Sequence, residues 1–168
     1  MVVELLRWLY KKNMKEVMNE FIENPFWELS STITPDHDTV RAFTDNYVLP
    51  HDYKELLTIT DGFVLFHAGD YSVYDICFIV ELKKGGIGKP DFKDEMLTIG
   101  YFMGYYLLLN QNESHTENYL YAGDAYYYDQ YVCVGSLTSF LNGFIDTKGE
   151  YFPFWEVDEK NYINFERE

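Results

Sequence analysis

The chain has 168 residues, 47% apolar and 19% aromatic, with 28 acidic against 13 basic side chains and a formal net charge of -15. That much apolar material excludes an intrinsically disordered chain, and the length suits one domain spanning residues 1–168. The charge argues against nucleic acid and anionic membranes as partners: binding phosphates takes a stripe of lysine and arginine, and the basic clusters are two pairs, Lys11-Lys12 and Lys83-Lys84.

The chain reads as a helical third over about 1–62, a sheet over about 63–134, and a C-terminal helix and tail over about 136–168. From Glu4 to Asn24, Leu6, Leu9, Tyr10, Met14, Val17, Met18 and Phe21 recur at three- and four-residue spacing, which predicts a helix with one buried face that ends before Pro25. Thr34-Pro35-Asp36 predicts a second helix, with Thr34 as cap and Pro35 in the first position, burying Val40, Phe43 and Tyr47 before Leu49-Pro50. HDYKELLTIT predicts a short third helix with Tyr53, Leu56 and Leu57 inward and Gly62 as a left-handed cap.

From Phe63 the period changes. FVLFH and YSVYDICFIV, separated by Ala68-Gly69-Asp70, read as strands, as do MLTIGY, YYLLLN and YLYAGD, and the tyrosine-rich run from Ala125 to Val134 reads as a strand or a loop. Lys83 to Glu95 reads as a loop because Gly85, Gly86, Gly88 and Pro90 fall within it. Ser136 predicts the cap of a last helix, SLTSFLNGFI, with Leu137, Phe140, Leu141, Phe144 and Ile145 as its buried stripe. Phe152, Phe154 and Trp155 are expected to pack a tail onto the domain. The fold class that follows is α+β, a central mainly antiparallel sheet flanked by N-terminal helices and a C-terminal helix.

Signals for catalysis are thin. His37, His51, His67 and His115 are scattered and Cys77 and Cys133 lie far apart, so no metal-ligand spacing is present and no cofactor is expected. The acids of Asp36-His37-Asp38 suit a helix dipole better than a metal. KKGGIGKP lacks the Lys-Ser or Lys-Thr that follows a phosphate-cradling loop, and Pro90 stops a helix from starting there. There is no Gly-x-Ser-x-Gly elbow and no cysteine beside a histidine base, so the chain reads as a non-enzyme. The N-terminus lacks a small-residue cleavage site and no run reaches the roughly 18 apolar residues of a bilayer span, which makes the cytoplasm the expected location. Both cysteines sit in apolar runs, as reduced, buried thiols do.

One segment stands out. YAGDAYYYDQYVCV interleaves tyrosines with Asp124 and Asp129, and phenol rings with few rotatable bonds and a polar tip are good interface anchors. Alternate tyrosines of a strand would instead pack into the core, but three in a row cannot all point one way. The candidate partner-binding residues are Asp70, Tyr71, Asp124, Tyr126, Tyr127, Tyr128, Asp129 and Tyr131. A basic protein is the partner that the charge favours, since opposite charge speeds capture; solubility alone would also account for the acidity.

The stretch ITPDHDTVRAFTDNYVLPHDYKELLTITDGFVLF, through Leu49-Pro50, Tyr53, Leu57 and Asp61-Gly62, resembles the SUKH superfamily of cell-wall assembly regulators and bacterial toxin-immunity proteins. TIGY, YYLLLN and SLTSFLNGFI follow in that family's order, so the resemblance covers roughly Ile33 to Ile145. Thr60-Asp61-Gly62-Phe63 stands where the family commonly has Asn-Gly-Gly, and the tyrosine-rich segment is a second departure. The resemblance implies a non-catalytic α+β binder, in bacteria an immunity protein that neutralises a cognate, often basic nuclease toxin inside the producing cell. A regulatory scaffold with several weak partners, and a carbohydrate or small-ligand binder that stacks on the tyrosines, are the alternative readings.

Overall fold

In the computed structural model, residues 11–30, 32–85, 92–124, 130–150 and a short strand at 163–164 are described. The first helix, α1, spans Met14–Glu23 and buries Met14, Val17, Met18 and Phe21, the stripe that the sequence predicts. It starts later than expected. Residues 11–13 are not helical, because the Asn13 side chain accepts from the Glu16 N–H and the Glu16 carboxylate accepts from the Asn13 N–H, a reciprocal cap that opens a helix there. The expected stretch 4–10 lies outside the described residues, as do Phe152, Phe154 and Trp155. Asn24 closes α1 and Pro25 opens a 3-10 turn, Pro25–Trp27, that buries Trp27.

The second helix, α2, spans His37–Asn46 and is capped by Asp36 and not by Thr34. The Asp36 carboxylate accepts from the N–H and the hydroxyl of Thr39, at 2.9 and 2.7 Å, and a charged acceptor two residues further on suits the helix dipole better than a threonine hydroxyl. The third, α3, spans His51–Leu57 and buries Tyr53, Leu56 and Leu57. Gly62 does adopt a left-handed conformation, but it sits beyond the turn that follows α3 and not at the helix cap, which is Thr58.

Strands β1, Phe63–Val64, and β2, Tyr71–Val73, follow. The rest of YSVYDICFIV is helical, contrary to the strand expected from its apolar run: α4 spans Ile76–Lys83. Two carboxylates decide this, Asp75 accepting from the Phe78 N–H at 2.9 Å and Asp61 accepting from the Ile76 N–H at 2.8 Å. Once the first turn is satisfied, Ile76 and Ile79 fall on one buried face. Then come β3, Met96–Phe102; β4, Tyr105–Asn110; β5, Leu120–Asp124; β6, Gln130–Gly135; α5, Leu137–Asp146, capped by Ser136 as predicted; and β7, Ile163–Asn164.

Among the described residues the strands form one seven-stranded sheet in chain order, every neighbouring pair antiparallel. The fold is α+β, as the sequence predicts, with helix α4 interrupting the run of strands. One face of the sheet, carrying Leu97, Phe102, Leu107, Leu109 and Leu120, builds the main core with α1, α3 and α5. Phe102 meets the rings of Phe140 and Phe144 edge-on at 5.2 and 5.3 Å, and Trp27 packs on Phe144 at 5.7 Å. The other face carries a smaller cluster of Phe92, Met96, Leu108, Tyr121 and Tyr131. Cys77 and Cys133 are free and exposed, not buried as expected; among the described residues, no helix is long and apolar enough to cross a membrane.

Gly62 joins the helical third to the sheet at a point with no room for a side chain. Its φ is +85°, and a Cβ would stand 2.7 to 2.8 Å from the backbone of Val73, Tyr74 and Asp75. Gly62→Ala is therefore expected to destabilise the protein by at least about 2 kcal/mol, read from urea unfolding curves. A loss within about 0.5 kcal/mol would mean that this junction relaxes.

Candidate functional site

Antiparallel pairing fixes which loops share an end of the sheet. Tyr71 pairs with Phe102, Phe102 with Tyr105, and Tyr105 with Asp124, so these four residues form one row across β2 to β5. The turn before β2, the Met103-Gly104 tip between β3 and β4, the end of β5 at Asp124 and the start of β6 at Gln130 therefore lie at the same end. A backbone hydrogen bond from the Met103 N–H to the Asp70 carbonyl, 2.8 Å, ties two of these tips together.

The candidate residues divide across this end. Asp70 is exposed at its turn. Tyr71 is half-buried, its ring 5.2, 6.0 and 6.3 Å from those of Phe66, Phe144 and Phe102, so it closes the edge of the main core. Asp124 is half-buried at the end of β5. Tyr126, Tyr127, Tyr128 and Asp129 lie outside the described residues, and β6 resumes at Gln130. Tyr131 pairs with Gly123, which turns it to the opposite face, where it is 2% exposed and packs on Phe92 at 5.7 Å. Asp70, Tyr71 and Asp124 thus share one end, while the Tyr131 ring belongs to the second cluster.

That second face is rich in aromatic rings. Phe92 rests on Gly123, where a Cβ would stand 3.1 Å from its ring. Phe92 and Tyr101 each meet Tyr106, at 5.6 and 5.1 Å. Tyr121 is anchored by a 2.5 Å hydrogen bond that its hydroxyl donates to the Glu113 carboxylate. Burial, and then that carboxylate, push the Tyr121 hydroxyl well above its ordinary titration range.

Two polar clusters with a chemical look are committed to holding helices. The Tyr119 hydroxyl donates to Asp52 at 2.5 Å and accepts from the Leu137 N–H at 2.8 Å, while the other Asp52 oxygen accepts from the N–H and hydroxyl of Thr138 at 2.9 and 2.8 Å. The starts of α3 and α5 are thereby tied to the residue that precedes β5. Burial, ahead of the neighbouring Asp52 charge, raises the Tyr119 hydroxyl so far that it stays protonated. In the second cluster, Asp61 holds α4 as described, and burial raises its carboxyl above the usual carboxylate range. The Tyr53 hydroxyl nearby is fully buried with no hydrogen-bond partner. His37, His51, His67 and His115 are all exposed, and among the described residues no three or more His, Cys, Asp and Glu come together as metal ligands.

Sequence reasoning missed the Asp52 network, whose partners lie 67 and 86 residues away and leave no local pattern. It also missed a cleft of about 590 Å³ beside α1, lined by residues from four separate stretches of chain. Compared with the models of known protein families the chain matches none, and no curated protein is significantly similar to it.

Because the folded Asp61 carboxyl titrates above its unfolded value, the native state holds the extra proton between the two, and this group's contribution weakens the fold as pH rises through that window. Asp61→Asn keeps an oxygen for the Ile76 N–H without a charge to desolvate. The variant is expected to gain stability relative to the parent as pH rises through that window, measured by paired denaturant titrations. Parallel pH curves would contradict this.

Proposed function

We propose that the chain is a non-catalytic, SUKH-like protein-binding domain of the immunity type, which captures a basic toxin through the end of the sheet that carries Asp70, Tyr71 and Asp124. The observation that carries this reading is the convergence of two acidic positions and the flanks of the tyrosine-rich 125–129 segment at one end of a rigid antiparallel sheet. In this reading Tyr126, Tyr127, Tyr128 and Asp129 contact the partner, and Tyr131 supports that segment from the second cluster beneath it.

The net charge of -15 supplies the second support. A field of that sign accelerates encounter with a cationic surface and slows it with an anionic one, whereas residence time depends on desolvated anchors such as tyrosine. The hydrogen bond between the Met103 N–H and the Asp70 carbonyl holds two of the tips in place, which limits the entropy lost on docking. A scaffold with several weak partners would use the same surface but would return a mixture of proteins on capture.

The test is to identify the product of the adjacent gene, to purify it with the chain if it is basic, and to follow association by stopped flow. The association rate is expected to fall at least about tenfold between about 50 and about 500 mM NaCl, and Asp70→Lys with Asp124→Lys should remove most of that salt dependence. No complex, or an association rate indifferent to salt, would overturn the proposal.

A further inference from the structure

We propose that the cleft between the C-terminal end of α1, the Pro25–Trp27 turn and residues 28–34 is a docking site for an extended peptide segment with an apolar side chain flanked by lysine or arginine. The inference stands on this cleft alone and does not require the sheet-end surface.

The walls supply the apolar half of the argument. Met18, Phe21, Leu29 and Ile59 line a cleft of about 590 Å³, and Ile22 and Ile33 stand on its rim at 57% and 46% exposed. Phe26, 49% exposed, projects from the adjoining turn, so three of the five large exposed hydrophobic residues among those described gather on this side of the molecule. Isolated exposed leucines or isoleucines are ordinary; a group around a concavity marks a recognition surface.

Charge selects the occupant. Glu20 is already satisfied, accepting from Asn24 at 2.8 Å, Lys12 at 2.9 Å and Trp27 at 3.3 Å, and these contacts, that from Asn24 foremost, hold its carboxyl down at about 2. Lys12 is thereby spent. Glu28, which lines the cleft, is exposed and has no ion-pair partner among the described residues. The last turn of α1 carries no basic residue, so the negative end of its dipole adds to the Glu28 carboxylate. A second copy of this chain, itself at -15, is a poor occupant of such a site. A cationic segment with an apolar anchor matches both the walls and the rim.

The cleft is also preformed. Glu28 and His67, both lining it, hold left-handed conformations at φ +44° and +49°, which non-glycine residues adopt only when their surroundings insist. Here the surroundings are the Glu28 N–H donating to Pro25 O at 3.2 Å and the Phe66 N–H donating to Trp27 O at 2.8 Å. A fixed wall reduces the ordering cost of binding a flexible peptide.

The test uses the full chain, labelled with nitrogen-15, and two blocked heptapeptides, Ser-Arg-Leu-Lys-Leu-Arg-Ser and its counterpart with glutamate at the three basic positions. The basic peptide is expected to shift the amides of Ile22, Glu28, Ile33 and His67 saturably, with affinity at least about fivefold weaker at about 300 mM than at about 50 mM NaCl. Glu28→Lys, and separately Ile33→Ser, should each weaken it at least about tenfold while leaving the remaining spectrum unchanged. No saturable shift, equal binding of the glutamate peptide, undiminished affinity in the variants, or shifts confined to Asp70, Met103 and Asp124 would overturn the proposal.

Discussion

The antiparallel register from β2 to β5 is the constraint on which the other features rest. Tyr71, Phe102, Tyr105 and Asp124 occupy one row, and the residues one step along each strand, Ser72, Tyr101, Tyr106 and Gly123, occupy the next. Because side chains alternate between faces, the first row turns toward α5 and the second toward the Phe92 cluster. A slip of one residue would exchange the two faces and send Phe102 away from Phe140 and Phe144. Two-sided burial holds the register, and the register gathers the hairpin tips at one end.

The helices are fixed to this sheet by buried polar contacts between distant segments. Asp52, Tyr119 and Thr138 bind α3, the approach to β5 and α5 into one unit, while Asp61 reaches 15 residues forward to start α4. Apolar burial brings these elements together, but it is non-directional. The hydrogen bonds select one arrangement, since a buried donor or acceptor left without its partner costs about 1–3 kcal/mol. Gly62 belongs to the same junction, where backbone from two segments meets with no space for a methyl group.

Period and capping made much of this legible from the amino-acid sequence. The stripe of α1, the inward residues of α3, the strands from Met96 onward and the Ser136-capped α5 are all local patterns, and all appear in the structure. The errors came where a side chain outcompeted the pattern. Asn13 opens α1 partway along a continuous apolar period, Asp36 displaces Thr34 as a cap, and Asp75 with Asp61 turns an apolar, β-branched run into α4. Of the candidate site, the clustering of Asp70 and Asp124 is a product of register, and the inward turn of Tyr131 follows from its pairing with Gly123; neither is visible until pairing partners are known. The cleft beside α1 combines residues from Met18 to His67 and has no sequence signature at all.

The docking of a cationic partner proposed above needs a fixed edge more than it needs reactive groups, and the hydrogen bond between Met103 and Asp70 ties two hairpin tips together there. The most direct measurement is hydrogen–deuterium exchange of the full chain with and without the proposed basic protein partner. The account predicts slowed exchange at residues 68–71, 103–104 and the two ends of the 125–129 segment on complex formation. Unchanged exchange at those three tips, with protection only on the outer faces of α2 and α4 or nowhere, would contradict it.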